Sequence, residues 1–359
     1  MKLKTRHKSY GMSAALCALM AIVGCAGRIS GQAQTAVKND REPQQVEARV
    51  KTDQDIFDFH SGFWMNLHHF LYQQALAQKV AQGERLGRAA RYADKVVSVD
   101  ALNDGEKRDW AAALEHYQKF YVSRDLLGDE ELVKINYRLA ELENESALKQ
   151  FGLPEAAVAA LEQAAPAYRA HWWKEHDRIN RAWIAVAASL VKKYGRGLSE
   201  QFASVYHEAW AKEPVRVEVA IYANWAGAYT TLRPTLITIS SGVAAVQDYA
   251  ALETLFHEAN HAMIRAVSVA IRNECMAQNK PVPRDLWHMT LFYTTGEIVK
   301  RALAKDGQKD YAPYAYKQGL YQISPENQRY QRLLEMRWQP YLDGKSDFAE
   351  AMKQMVAGL

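Results

Sequence analysis

His257 and His261 stand four residues apart with Glu258 between them, and these residue types at this spacing can do chemistry together. On a helix, positions i and i+4 lie one turn apart on the same face, so two such imidazoles reach one metal ion. Glu258 falls one position round, beside the ion. There a carboxylate can take a proton from a water whose pKa zinc lowers to about 7. The surrounding residues 248–267 read as one long helix, with Asp248 as N-cap and Leu252, Leu255, Phe256, Ala259, Met263 and Val267 as a broad apolar surface. Burial suits the chemistry, because burying two histidines and a glutamate with neither metal nor partner is costly. The plainer alternative is a helix that turns these polar residues to water.

A catalytic zinc needs a third protein ligand and an open position. Glu274 lies thirteen residues beyond His261, roughly 20 Å away at 1.5 Å per residue, and is excluded if the helix continues. Asp285, in a loop flanked by Pro281 and Pro283, is a second candidate. His288 and Glu297 belong to an apolar segment, 286–303, that reads as a further helix. Nine residues separate them, about 13 Å along a continuous helix, so they bind one ion together only if that helix breaks. His288 then suits a catalytic role, as a contact to substrate or transition state. Amide hydrolysis builds negative charge on the carbonyl oxygen, and a histidine or tyrosine opposite the zinc can stabilise it. Tyr293, Tyr311, Tyr314 and Tyr316 compete for that role.

The pattern His257-Glu258-x-x-His261, followed a few dozen residues later by a helical Gly296-Glu297, resembles the gluzincin group of metallopeptidases over residues 215–303. The resemblance implies zinc on His257, His261 and Glu297, with Glu258 as general base, in a zincin-like part whose small sheet packs on the motif helix. Arg301 is a departure. Many gluzincins carry an acidic residue at that position, a turn after the glutamate, to orient a ligand histidine, so that support must come from elsewhere.

Other elements must position these residues. Val215 to Ile221 alternates strictly and reads as a half-buried strand, and residues 235–240 form a second. Between them, Asn224, Trp225 and Gly227 belong to a segment that forms either an edge strand or a loop. As an edge strand beside the metal helix it would pair with substrate backbone, which makes these three the candidate substrate residues. Upstream, apolar residues recur at helical spacing from 55 to 210, with Pro154 and Pro166 as helix starts and Gly128, Gly152 and Gly195 as breaks. His68 and His69, adjacent and therefore about 100 degrees apart on a helix, read as interior histidines that either could turn into the cleft. Trp172, His176, Asn180 and Trp183 share a side and read as core. Residues 337–341 and a last helix, 348–356, read as a cap on the catalytic part.

The chain of 359 residues carries a formal charge of +4. Lys2, Lys4, Arg6 and Lys8 account for all of it, ahead of an apolar run from Met12 to Val23 too short to span a bilayer comfortably. Residues 1–24 therefore read as an export signal, and Ile22-Val23-Gly24-Cys25 resembles a bacterial lipobox whose cysteine is lipidated. Cleavage after Ala33 to give a soluble exported protein is the alternative. Ala26 after the cysteine favours the outer membrane, if the source is Gram-negative. With Cys17 in the signal and Cys25 as anchor, Cys275 is left alone, so no internal disulfide is available. No long basic run follows the signal, which argues against a nucleic-acid partner. The expected organisation is a flexible tether at 25–54, a helical lobe at 55–210 and a catalytic region at 211–359, in a predominantly helical α+β fold. The expected activity is zinc-dependent cleavage of a peptide or protein substrate by a lipid-anchored envelope enzyme. The alternative is a noncatalytic envelope protein with a structural or vestigial metal site and a partner-binding lobe.

Overall fold

Strict alternation in Val-Arg-Val-Glu-Val-Ala reads as a half-buried strand, but in the computed structural model, which describes residues 56–84, 86, 96–142 and 147–359, the strand lies between two neighbours and all of its residues except Arg216 are buried, Glu218 included. The export signal expected at 1–24 and the tether expected at 25–54, with Cys25, lie outside the described residues. The fold is mostly helical with one four-stranded sheet, an α+β arrangement. Strand β1 is Phe57–His60, and helices α1 (Phe63–Ala81), α2 (Asp104–Phe120), α3 (Glu130–Glu141), α4 (Glu155–Tyr168) and α5 (Lys174–Tyr206) follow. Next come β2 (Val215–Ala220), β3 (Ala228–Thr231), β4 (Leu236–Ser240), α6 (Tyr249–Asn260), α7 (Arg265–Ala277) and α8 (Leu286–Lys305). Short helices α9 (Tyr314–Lys317), α10 (Pro325–Leu333) and α11 (Gln339–Leu342) lead to α12 (Phe348–Ala357). None of the described helices is long and apolar enough to cross a membrane.

The sheet order is β1-β2-β4-β3, with β3 antiparallel at one edge and the other pairs parallel. Register puts Val217 opposite Ile237, and Ile237 opposite Thr230. On that face Val215, Val217, Val219, Ala228, Ile237 and Ile239 share a core with α5, α6 and α8. On the other face Tyr229 and Leu236 join the core of α1 to α4. The division into lobes therefore differs from a boundary at residue 210. Phe57 in β1 and most of α5 belong with the half that carries α6 and α8, since Phe57, Trp183, Leu198 and Phe202 pack in its core.

Three punctuation signals act differently from expectation. Pro166 does not start a helix but lies near the end of α4, which runs through a π-helical turn at Arg169–Trp173 directly into α5. Gly195 breaks nothing. It lies buried inside α5, where a Cβ would meet Val191 at 3.1 Å and Ile56 at 3.3 Å. The helix carrying the motif is also shorter than its apolar pattern suggests, since α6 stops at Asn260. There the hydrogen bonds tighten to i−3, with His261 N donating to Glu258 O at 3.2 Å and Ala262 N to Ala259 O at 3.1 Å. Asp248 does not cap α6. Its φ of 53° turns the backbone away from cap geometry, and its side chain makes no cap bond.

His68, His69 and Trp183 are buried, and Trp172 is half-buried. His69 Nδ1 donates to Met65 O at 2.9 Å, which leaves Nε2 to accept from the Tyr229 hydroxyl at 2.8 Å. His68 Nδ1 lies 2.8 Å from the Tyr117 hydroxyl. Trp183 donates to Val246 O at 2.8 Å, and Trp172 packs on Trp110 at 4.7 Å. In the C-terminal part, Trp338 is fully buried and donates to Thr294 on α8 at 2.8 Å.

One side chain extends the sheet. Pairing of β1 with β2 ends at His60 opposite Glu218, and beyond it the Asn66 amide donates to Val219 O at 3.1 Å and accepts from Ile221 N at 3.1 Å. That is the pattern a further residue of a parallel strand would make. Asn180 on α5 donates to Asn66 Oδ1 at 2.9 Å and accepts from Ser241 at 2.6 Å, so α1, α5 and two strand ends meet in one buried polar network. Asn66→Ala would leave a buried carbonyl and a buried N–H unpaired, at a cost of about 2–4 kcal/mol. Chemical denaturation should show that loss in unfolding free energy, and a change below about 1 kcal/mol would show the ladder closes without it.

Candidate metal centre

Every residue of α6 from Ala250 to Asn260 is buried. Leu252, Leu255, Phe256 and Ala259 fill the core behind it, where the Phe256 ring meets Phe57 at 5.3 Å and Phe202 at 5.4 Å. His257 and Glu258 meet α8 and β3 instead.

His257, His261 and His288 form the group of side chains that can hold a metal ion among the described residues, with their ligand atoms within 4.8 Å of one another. The rings make a nearly equilateral triangle, with centroids 5.1, 5.3 and 5.2 Å apart. The Nε2 atoms of His257 and His288 are 3.3 Å apart. For zinc–nitrogen bonds of 2.0–2.1 Å, the edge of a tetrahedron is about 3.4 Å, so this pair already has the spacing of two ligands on one ion. Burial pushes all three imidazoles toward the neutral form, His261 down to about 4, and in His257 the neighbouring histidines add to the effect. Neutral imidazole is the form that binds metal.

The expected assignments of His288 and Glu297 are thus exchanged: His288 stands with the two motif histidines, and Glu297 does not. The helix α8 is continuous from Leu286 to Lys305, so His288 in its first turn faces the end of α6. Glu297 lies about 13 Å further along and half a turn round, with Lys300 Nζ at 3.7 Å. Arg301 is tied to Asp343 at 2.6 Å and to Leu342 O at 2.8 Å. Glu274 and Asp285 are likewise outside the histidine group. Aromatic rings support the ligands: Phe292 stacks on His257 at 3.9 Å, and Trp287 stacks on His288 at 5.0 Å.

Glu258 adjoins this triangle. The Thr230 hydroxyl lies 2.7 Å from its Oε2 and 2.9 Å from its backbone oxygen. Burial raises the carboxyl to about 7 against the lowering effect of the Thr230 bond. Nothing in the sequence around Thr230 marks it, since its role follows only from β3 lying beside α6. Asn224, Trp225 and Gly227 precede β3 rather than forming it. They make a turn in which Asn224 Oδ1 accepts from Ala226 N at 2.9 Å, Gly227 N donates to Asn224 O at 3.1 Å, and Gly227 has φ of 85°.

The competing tyrosines have other engagements. Tyr293 donates to Gln339 at 2.7 Å, Tyr311 to Glu253 at 2.6 Å and Tyr316 to Glu335 at 2.8 Å, while Tyr314 stacks on Phe292.

The two ligand sets separate experimentally. His288→Ala should weaken zinc or cobalt binding by at least 100-fold, as expected for losing one of three direct ligands, whereas Glu297→Gln should stay within about threefold of the parent. Competition with a chromophoric chelator measures both, and the reverse ranking would restore Glu297 as the ligand.

No family model matches the chain, and neither the curated proteins nor the solved structures contain a match to it.

Proposed function

We propose that this chain is a zinc-dependent hydrolase that cleaves peptide bonds, with Glu258 as general base. The observation that carries the reading is the juxtaposition of three neutral imidazoles with a buried carboxylate on the same helix. Zinc, when bound, supplies a Lewis acid that polarises a carbonyl and lowers the pKa of water.

Glu258 accepts the proton of the attacking water and returns it to the leaving amine. Thr230 engages Oε2, which fixes the carboxylate plane and leaves Oε1 to receive the proton. The raised carboxyl pKa suits a base working near neutrality, and a cation beside it pulls that value back down, keeping the group ionised. β3 is an antiparallel strand at the sheet edge next to Glu258, with all four of its residues buried, and a peptide substrate would have to reach Glu258 beside it. His288 acts as the third ligand in this scheme, in place of Glu297. The N-terminal signal and Cys25 support a site of action in the cell envelope, through a lipid anchor.

Glu258→Gln should retain one zinc per chain and lose hydrolysis of a peptide library by 10²- to 10⁴-fold, the range for removing a general base. A Gln variant as active as the parent would sink the assignment. Zinc-replete wild-type protein that carries no metal would instead favour a noncatalytic envelope protein. Thr230→Val should lower kcat about tenfold with little change in KM, because the hydroxyl orients the base and does not bind substrate.

A further inference from the structure

His257 lacks the usual support of a ligand histidine. Metal-bound imidazoles commonly donate their second ring nitrogen to a carboxylate, carbonyl or water, which fixes the ring plane. Here His257 Nδ1 is buried and has no hydrogen-bond partner among the described residues. Packing must set the ring plane instead, and the closest packing is with Phe292, at 3.9 Å and 27°. Phe292 is backed by Tyr314, parallel within 6° at 6.3 Å.

The anchor of this stack is Glu253, one turn before His257 on α6 and 1% exposed. Both its carboxylate oxygens lie 3.0 Å from Tyr314 N, and Oε2 accepts from the Tyr311 hydroxyl at 2.6 Å. A buried carboxylate thus grips residues 311–314 from both ends. The fit is tight: a Cβ at Gly296 on α8 would meet Pro313 Cβ at 2.6 Å and Glu253 Oε1 at 3.1 Å. Only glycine at 296 lets the segment lie this close to α8.

Resting on the reading of His257, His261 and His288 as metal ligands, we propose that Glu253 is a positioning residue for the metal centre. It clamps residues 311–314 so that Tyr314 and Phe292 hold the His257 ring at its ligating angle. Burial pushes the Glu253 carboxyl up to about 7, while the bonds from Tyr311 and Tyr314 pull it down, so the clamp also stabilises the charge it uses.

The test measures zinc affinity by chelator competition, the visible spectrum of the cobalt-substituted protein, and metal-free thermal unfolding. Glu253→Gln keeps the shape but not the anionic double acceptor. It should weaken zinc binding 10- to 100-fold and alter the cobalt spectrum while the fold is retained. Gly296→Ala leaves Glu253 intact but pushes Pro313 away, and should lower affinity in the same direction. If Glu253→Gln does not fold, Tyr311→Phe, which keeps the carboxylate and removes one of its bonds, should still lower affinity several-fold. Folded variants that bind zinc within twofold of the parent and leave the cobalt spectrum unchanged would overturn the proposal. Wild-type protein that binds no metal would refute the ligand reading beneath it, a distinct failure.

Discussion

Burial of α6 is the constraint on which the rest of the structure depends. Eleven consecutive residues of this helix lie inside the protein, and five of them, Glu253, Thr254, His257, Glu258 and Asn260, carry groups that water would otherwise satisfy. Leaving such groups unpaired in the interior is expensive, and other parts of the protein meet several of them, while Thr254 Oγ1, His257 Nδ1 and Asn260 Oδ1 have no hydrogen-bond partner among the described residues. The neighbours come from separate parts of the chain: residues 311–314 bond to Glu253, β3 bonds to Glu258 and Thr295 to Asn260, while α8 packs Phe292 on the His257 ring. The polar face of one helix therefore dictates where three other segments pack.

A metal held by His257, His261 and His288 would meet different electrostatics from those the gluzincin resemblance implies. Two histidines and a glutamate would neutralise part of a divalent cation, leaving about one net positive charge. Three neutral histidines leave both charges in place, in a region where screening by water is weak. The balancing charge must then come from carboxylates that do not bind the ion. Glu258 follows His257 directly in sequence, and Glu253 lies one turn before His257 on the same helix. Of the residues that carry the resemblance, His257 and His261 stand in the histidine group and Glu297 does not.

Some of this was legible in the residue order and some could not be. The motif declared itself, because spacing on a single helix is a local property. The strands at 215–220 and 236–240 also showed through, and the tether of β3 between them was visible as an ambiguity. The four residues of β1 alternate Phe-Asp-Phe-His, but two repeats are too few to read against the helical pattern beside them. The end of α6 was hidden because Met263 and Val267 continue its apolar spacing across a turn that contains neither glycine nor proline. The third ligand was hidden for a different reason. Spacing along α8 excludes His288 and Glu297 from sharing one ion, but which end of α8 meets α6 is a tertiary relation that no spacing encodes.

Register in β3 links the helical lobe to the site. Successive side chains on a strand point to opposite faces, so Tyr229 and Thr230 serve different halves of the molecule. Tyr229 turns toward the lobe, where it donates to His69 and accepts from Asn136 at 2.7 Å, while Thr230 turns toward Glu258. Burial pushes the His69 pKa down to about 4, so the ring stays neutral and keeps one nitrogen free to accept. A slip of one residue would point Thr230 into the lobe and a tyrosine or Thr231 at the carboxylate. The hydrogen bonds of Tyr229 to α1 and α3 oppose that slip. The helical lobe thus helps to place the Glu258 carboxylate without touching it, through the alternation of one short strand.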